Sequence, residues 1–285
     1  MLPVFLDLGV IKIYTFGVFL ILAFFWASYL LWRNFRLTVY KEDDIFDTLF
    51  ATIGGAIVGG RLLYVILNFS DFGLNILKIL LINGYPGISI YGAIIGGLVT
   101  LALMLSSKKI HFFDVIDYYI APLFVGMGFG KVGSFFSGAE VGTKTRFPLS
   151  IHYAGFGDLR HLTAFYEGLL FFVGAFIAYR LLFAIRREEY KKGLTFYVFL
   201  VYFGFVTLLF DKLKEFHLYL FGQSFNLVVS VVVLVISTPL LIYQLRSGKS
   251  FSLSLFKSFS KRHGHHTTSE TVHSPTTEET GTTQN

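Results

Sequence analysis

Seven long apolar stretches dominate this chain and restrict it to very few kinds of fold. They are Val10–Trp32, Ile45–Leu67, Ile88–Leu105, Val115–Phe129, Leu162–Phe183, Leu194–Phe210 and Phe225–Tyr243. Each approaches the ~20 residues that an α-helix needs to cross the hydrocarbon core of a bilayer. The sequence therefore predicts an all-α polytopic membrane protein with about seven transmembrane helices. The fourth and sixth stretches are shorter, so we expect these two helices to tilt, to pack inside the bundle, or to end in broken helix.

The composition agrees with a bilayer environment and removes several kinds of chemistry. Hydrophobic residues make up 54% of the chain and charged residues only 15%, which is more apolar surface than a soluble domain of 285 residues can bury. Because the chain has no cysteine, a disulfide, a thiolate metal site and a cysteine nucleophile are all excluded. We expect neither a metal site nor a cofactor, and any thiol in the chemistry must come from a substrate.

The distribution of Lys and Arg predicts how the chain is oriented in the membrane. One set of connections, on the same side as the basic C-terminal tail, holds Arg33, Arg36, Lys41, Lys108, Lys109, Arg180, Arg186, Arg187, Lys191 and Lys192. The opposite set holds fewer, namely Lys12, Lys78, Lys144, Arg146, Arg160, Lys212 and Lys214. Because cytoplasmic loops carry the excess of Lys and Arg, we predict an outer N-terminus and a cytoplasmic C-terminus. Topology thus explains the net charge of +6, and no nucleic-acid partner is expected.

The N-terminal end of the chain is predicted to enter the membrane, and the C-terminal end is predicted to be a disordered tail. The first nine residues lack the basic n-region of a signal peptide, so the first apolar stretch is predicted to be a transmembrane helix. Residues 1–250 form the predicted transmembrane domain. Residues 251–285 are predicted to be a disordered cytoplasmic tail, since from about His263 onward apolar residues are almost missing. Solvation explains the histidines of that tail better than metal binding does.

Several ionisable or polar side chains lie in or at the ends of the apolar stretches. Arg61, Lys131, Glu167, Tyr91 and Tyr14 come from different stretches, and the predicted topology carries all of them to the outer half of the membrane. A charge at membrane depth costs roughly 2.5–3.5 kcal/mol to insert, so such residues are candidates for a functional site. The alternative for Arg61 is a structural cation paired with Glu167, and for Lys131 it is an interfacial anchor.

A glycine-rich stretch follows the fourth apolar run. Residues 126–142 read GMGFGKVGSFFSGAEVG, and glycines four residues apart are typical of closely packed membrane helices. The small residues nevertheless continue beyond the apolar run, around Lys131 and several hydroxyl groups. Free backbone N–H groups in such a segment suit an anion, phosphate above all. A packing role and an anion-binding role both stay open.

Four segments together resemble the prolipoprotein diacylglyceryl transferase family, and the resemblance runs from about Gly9 to Tyr243. They are Gly59–Val65 (GGRLLYV), Phe113–Pro122 (FDVIDYYIAP), His161–Glu167 (HLTAFYE) and Gly222-Gln223. The resemblance implies a seven-helix protein of the bacterial cytoplasmic (inner) membrane. It also implies a reaction in which phosphatidylglycerol enters from the lipid bilayer. The lipobox thiol of a prolipoprotein signal peptide then attacks the glyceryl carbon, which forms a thioether and expels glycerol phosphate.

The resemblance also implies roles for individual residues of this chain. The catalytic candidates are Tyr91, Arg61 and Glu167. The candidates for binding phosphatidylglycerol are Lys131, Gly133, Ser134, Gly142 and Tyr14. The cations are expected to hold the lipid phosphate and to stabilise it as it departs. Glu167 is expected to orient a cation, and the glycines to shape the backbone around the headgroup.

The chain departs from the family's pattern at several of these positions. The family's Gly-Arg-x-Gly-Asn is GKVGS at residues 130–134, and its His-Gly-Gly is YGA at residues 91–93. The family's glutamate falls one place late, at Glu140. Val206 or Thr207 stands near the position of the first sixth-helix arginine, and Asp211, Lys212 and Lys214 follow in an uncertain register. Lys131 keeps the charge but lacks the bidentate fork of arginine, and a tyrosine with an ordinary pKa of about 10 is a poor general base.

Two alternatives to the enzyme therefore stay open. One is a relative that binds lipid or lipopeptide without turnover. The other, less favoured, is a small-solute transporter, because neither paired broken helices nor an internal repeat can be seen in the sequence.

Overall fold

The computed structural model describes residues 3–9, 12–36, 38–81, 85, 87–216, 219–220 and 222–263, and at residues 219–220 and from residue 247 onward it describes the backbone alone. Within these residues the chain forms nine α-helices and six short β-strands. In chain order they are β1 (Val4–Asp7), β2 (Lys12–Tyr14), α1 (Thr15–Phe35), α2 (Glu42–Leu67), α3 (Phe69–Phe72), α4 (Ile76–Leu80), α5 (Ile90–Ser107), α6 (Phe112–Ser137), β3 (Ser150–His152), β4 (Leu159–His161), α7 (Thr163–Arg186), α8 (Leu194–Asp211), β5 (Tyr219–Leu220), β6 (Gln223–Ser224) and α9 (Phe225–His263). Among the described residues the strands form three antiparallel hairpins, β1 with β2, β3 with β4, and β5 with β6.

Seven helices are long and apolar enough to cross a membrane, which confirms the predicted fold class. They are α1, α2, α5, α6, α7, α8 and the Phe225–Arg246 part of α9. Each overlaps one of the seven apolar stretches, although Val10, where the first stretch begins, lies outside the described residues. The protein is thus a multi-pass membrane protein. The side of the membrane on which each end lies stays a prediction.

Helix α6 is the centre of the bundle and is longer than the sequence predicts. Its predicted end was Phe129, but the helix continues through the glycine-rich stretch to Ser137 and has Pro122 in its interior. Ile116, Ile120 and Phe124 on this helix are almost completely buried. The apolar run is short because much of α6 faces other helices rather than lipid. Helical N–H groups bond to carbonyls one turn earlier, so the predicted anion site made of free N–H groups is wrong for residues 126–137.

An aromatic cluster joins α6 to the two helices that follow it. The rings of Phe124, Phe171, Phe199 and Phe203 lie 5.2–6.3 Å apart between centroids, and all four side chains are buried. These separations are in the range that aromatic pairs prefer. Since lipid tails are as apolar as these side chains, the stabilisation comes from close packing rather than from removal of water.

Helices α2 and α5 pack against each other through glycines. A Cβ added at Gly59 would lie 2.6 Å from the carbonyl oxygen of Gly92, and one at Gly96 would lie 2.4 Å from the carbonyl oxygen of Gly55. No larger residue fits at such separations, so the two backbones are in direct contact. The α2–α5 pair consequently behaves as one unit of the bundle.

Backbone hydrogen bonds tie together three connections at the end of the bundle where α6 and α8 finish. Thr143 donates to the carbonyl of Leu213 (2.9 Å) and Glu215 donates to the carbonyl of Val141 (3.0 Å). In the segment after α6, the carbonyl of Thr143 also accepts a hydrogen bond from the N–H of His161 in β4 (3.0 Å). Side chains from α6, α7 and the end of α8 are thereby brought to one place.

The last helix does not stop at the predicted domain boundary. α9 continues as helix from Phe225 to His263, past residue 250. Residues 264–285 lie outside the described residues. The predicted disorder of the tail therefore stays a prediction.

Candidate active site

Four charged side chains form a closed ring where these connections meet. Lys131 Nζ on α6 lies 2.6 Å from Glu167 Oε2 on α7, and 2.6 and 2.8 Å from the two carboxylate oxygens of Glu140. Lys214, just beyond α8, lies 2.6 Å from Glu167 Oε1 and 4.0 Å from Glu140 Oε2. Cations and anions alternate, so each carboxylate lies between two ammonium groups. We call Lys131, Glu140, Glu167 and Lys214 the charge ring.

The charge ring has no net charge, and its side chains differ in the fraction of their surface that is exposed. Glu167 has no exposed surface, whereas the side chain of Glu140 is 32% exposed. Burial raises the pKa of the Glu140 carboxyl, but the charges of Lys131 and Lys214 outweigh burial and hold this pKa below its ordinary value. A carboxylate as deeply buried as Glu167 is tolerated only because it is paired. Glu140 is thus the ionised member that can leave the ring most easily.

Arg160 supports the charge ring from the connection before α7. Its guanidinium donates to the carbonyl of Gly142 (3.0 Å) and pairs with Glu215 at 2.9 Å. A Cβ at Gly142 would lie 2.2 Å from the carbonyl oxygen of His161, so only glycine fits there. This close approach holds the chain just after Glu140, and the predicted role of Gly142 at the lipid headgroup stays a prediction.

Ser134 and Gly133 lie one turn after Lys131 and face different surroundings. Ser134 is buried, and its hydroxyl interacts with the Glu140 carboxylate. A Cβ at Gly133 would lie 2.6 Å from the Cβ of Phe19 on α1. The sequence predicted that Gly133 shapes the backbone around the lipid headgroup. The structure shows that Gly133 packs α6 against α1, and its predicted role at the headgroup stays a prediction.

Tyr91 enters the bundle from α5 and is buried. Its hydroxyl donates to Asn226 Oδ1 on α9 at 2.9 Å, and its ring makes edge contacts with Phe203 and Phe225 at 5.9 and 5.3 Å. The charges of Lys131 and Glu167 act on this hydroxyl, so Tyr91 lies within electrostatic reach of the charge ring. It thus connects the α2–α5 pair to α8 and α9 beside the candidate site.

Arg61 is not part of the charge ring, and its predicted pairing with Glu167 is wrong. Four of its five N–H groups donate to the carbonyls of Lys78, Ile79, Tyr85 and Gly87, at 2.7–2.9 Å. The sequence could not reveal these acceptors, because carbonyls belong to every residue type and the segment folds back on α2. A side chain with so few donors left is poorly suited to bind a lipid phosphate.

Tyr14 lies at the N-terminal boundary of α1. It pairs across the first hairpin with Val4 and its side chain is exposed. The exposure leaves it accessible to lipid, and its predicted contact with a headgroup stays a prediction.

Four residues of the site were not among the candidates: Glu140, Lys214, Arg160 and Asn226. Glu140 and Lys214 were noted only as departures from the family's spacing, and Lys214 had no secure register. Its 2.6 Å contact with Glu167 places it in the charge ring, and its correspondence to the family's arginine stays a prediction. Asn226 carried a signal that was overlooked, since it is an amide next to an apolar run and such side chains form hydrogen bonds between membrane helices.

Comparisons with known proteins agree with the fold and with the site. The family model described as "Prolipoprotein diacylglyceryl transferase" matches residues 3–243. A phosphatidylglycerol–prolipoprotein diacylglyceryl transferase of Clostridium tetani is 32% identical over 211 residues, covering 72% of this chain and 82% of the relative. Proteins of the same name from Geobacter sulfurreducens and Streptococcus pneumoniae (strain Hungary19A-6) are 30% and 28% identical, covering 75% and 88% of this chain and 82% and 97% of their own lengths. The chain therefore belongs to the prolipoprotein diacylglyceryl transferase family.

Proposed function

We propose that this protein transfers the diacylglyceryl group of phosphatidylglycerol to the lipobox cysteine thiol of prolipoproteins in the bacterial cytoplasmic (inner) membrane. Family membership and the names of the relatives support the reaction. The observation that carries the proposal is the convergence of Lys131 and Lys214 on Glu167, 2.6 Å from each, at the end of two membrane helices. Two ammonium groups held at one depth suit a phosphodiester at the membrane surface.

In the proposed reaction a C–S bond forms as the bond between the glyceryl carbon and the phosphate oxygen breaks. Negative charge grows on the departing glycerol phosphate, and fixed cations lower the barrier by stabilising that charge. Lys131 and Lys214 supply these cations. Glu167 keeps both of them in position and is itself too buried to move into contact with substrate.

The charge ring must open before a phosphate can reach the lysines. Lys131 already directs its ammonium group to three carboxylate oxygens, at 2.6–2.8 Å. Glu140 is the more exposed carboxylate, so we propose that the phosphate takes its place. Once the two cations turn to the phosphate, their charges no longer offset burial, and the pKa of the Glu140 carboxyl rises. The freed carboxylate is then a suitable acceptor for the proton that the attacking thiol loses.

A relative that binds lipid without turnover is the second candidate function. The observation in its favour is Tyr91, which stands where the family has histidine and whose hydroxyl is already directed to Asn226. A buried tyrosine cannot accept a proton at neutral pH as a histidine can.

Thioether formation separates the two functions. The purified protein in phosphatidylglycerol vesicles is given a lipobox peptide, and the diacylglyceryl mass increase is followed alongside binding of the lipid. The same peptide with Ser in place of its Cys is the control, and it should remain unmodified. Transfer supports the enzyme, whereas lipid binding with no mass increase supports the second candidate.

A further inference from the structure

Asn226 holds an oriented amide group at the end of the bundle where α8 finishes. It is the second residue of α9. Tyr91, on α5, donates its hydroxyl hydrogen to Asn226 Oδ1 at 2.9 Å. Because the oxygen and the nitrogen lie on opposite sides of a planar amide, the two Nδ2 hydrogens are directed away from Tyr91. A side chain from another helix thus determines the direction of this amide.

Tyr91 is itself firmly held by groups from α8 and α9. The hydroxyl of Ser230, one turn further along α9, interacts with the Tyr91 hydroxyl and lies 2.7 Å from Thr207 Oγ1 on α8. Tyr91, Ser230 and Thr207 are all buried. A buried polar network whose members have partners is rigid, so the position of Asn226 Oδ1 is fixed as well.

The amide nitrogen of Asn226 differs from other amide nitrogens of the bundle. Asn34 Nδ2 donates to the carbonyl of Tyr118 at 2.9 Å, and Asn68 Nδ2 donates to the carbonyl of Tyr64 at 2.8 Å. Within the part of the chain that the structure describes, Asn226 Nδ2 has no such acceptor. The Asn226 side chain is only half-buried, so a bound molecule can reach it. Its N–H groups are therefore available to a ligand.

The start of α9 is fastened to the end of α8, just before the second lysine of the charge ring. Ser224 donates its hydroxyl hydrogen to Asp211 Oδ1 at 2.7 Å, and the N–H of Lys214 donates to the carbonyl of Asp211 at 3.2 Å. Asn226 follows Ser224 by two residues. The Tyr91 hydroxyl that binds Asn226 also lies within electrostatic reach of the charge ring. The amide and the charge ring thus belong to one site.

We propose that Asn226 binds the hydroxyl groups of the glycerol headgroup and that Tyr91 is the positioning residue that directs its amide. This inference rests on the proposed function, in which Lys131 and Lys214 bind the phosphate of the same lipid. A hydroxyl group both donates and accepts, and the amide offers its N–H groups together with the second lone pair of Oδ1. A headgroup without hydroxyls leaves this oriented amide unpaired, which makes the site selective against such a lipid.

Binding of two lipids tests the proposal without requiring turnover. Short-chain phosphatidylglycerol and short-chain phosphatidylpropanol share the phosphodiester and the headgroup carbon chain, but only the first carries free hydroxyls on that chain. Each lipid is titrated into the detergent-solubilised protein, and isothermal titration calorimetry gives the ratio of the two dissociation constants. We expect the wild type to prefer phosphatidylglycerol by roughly three- to tenfold, the usual contribution of one hydrogen bond.

Three variants separate a headgroup contact from a general defect in folding. Asn226→Leu should abolish the preference by weakening phosphatidylglycerol binding alone, whereas a folding defect would weaken binding of both lipids. Tyr91→Phe keeps the ring but removes the hydroxyl that directs the amide, so the preference should fall part of the way. Asn68→Leu is the matched control at a half-buried asparagine whose amide already donates to a carbonyl, and it should leave the preference unchanged.

Equal affinity of the wild type for the two lipids would overturn the proposal, and so would a preference that Asn226→Leu retains. If Asn226→Leu does not fold, Tyr91→Phe decides, because its preference must fall below that of the wild type. Thioether formation judges the proposed function separately. Transfer without any headgroup preference rejects the role of Asn226 alone, whereas an Asn226-dependent preference without transfer supports that role in a lipid-binding protein. Binding of neither lipid would overturn both.

Discussion

At the scale of single residues, Lys131 determines how firmly an anion can be held beside α6. We expect Lys131→Ala to reduce transfer by at least about 100-fold, the usual loss when one stabilising donor is removed from an active site. The yield of folded protein should also fall, because the fully buried Glu167 loses one of its two cations. Lys131→Arg restores a bidentate fork and should maintain or raise both lipid binding and transfer. Unchanged transfer by Lys131→Ala would contradict the assignment of Lys131 to the lipid phosphate.

Glu140 provides a second test, because the proposed mechanism gives it two opposing effects. Glu140→Gln removes the negative charge that competes with phosphate, so binding of phosphatidylglycerol should become tighter. The same change removes the proposed proton acceptor, so the rate constant at saturating lipid should fall. A titration of lipid at fixed peptide separates the two effects. Weaker lipid binding in Glu140→Gln would show that the carboxylate assists the phosphate and does not compete with it.

The pH dependence of stability follows from the same carboxylate. The folded pKa of Glu140 lies below its ordinary value of 4.5, so the contact stabilises the fold above that pH and is lost as pH falls through the folded pKa. We expect the wild type to lose thermal stability on acidification more steeply than Glu140→Gln does. Parallel melting curves from neutral to acidic pH provide the measurement, and identical slopes would contradict the pairing.

At the scale of elements, the α2–α5 contact depends on glycine. Gly59→Ala places a methyl group 2.6 Å from the Gly92 carbonyl oxygen and should destabilise the protein by about 1–3 kcal/mol through overpacking. Gly54→Ala on the same helix meets nothing within 4 Å and should be neutral or slightly stabilising, since alanine favours helix. Thermal unfolding in one detergent compares the two variants, and equal effects would contradict the close contact.

At the scale of the whole molecule, orientation is the prediction with the widest consequences. Reporter fusions after Arg36, Lys109, Arg187 and Arg246 should give cytoplasmic signals, and fusions near Arg146 and Lys214 should give outer signals. The charge ring then lies at the outer leaflet. Reversed signals at both outer positions would move the proposed reaction to the other face.

The tail beyond His263 should be dispensable. Its composition offers no apolar face to bury, so a chain that ends at His263 is expected to insert and to transfer as the full chain does. Membrane yield and thioether formation are compared for the two lengths. A large loss of folded protein would show that the tail docks on the bundle.

The sequence by itself determined the class of fold, the number of membrane helices and the family. These depend on local properties, namely the length of each apolar run and motifs such as HLTAFYE, which can be recognised without knowing any tertiary contact. It also identified Lys131 and Glu167 as unusual, because a charged residue in or at the end of an apolar run can be recognised in the linear sequence.

Only the tertiary structure decided which charges meet. Arg61 and Lys131 look equivalent along the chain, yet one is bonded to carbonyls of a returning segment and the other lies in the charge ring. Lys214 and Glu140 became site residues because backbone pairing between three connections brings them to Glu167. Gly128 and Gly133 of α6 proved to serve packing, since they approach Phe172 and Phe19 closely. Which charged side chains pair at membrane depth depends on where they lie in three dimensions. Residue type alone does not determine these positions.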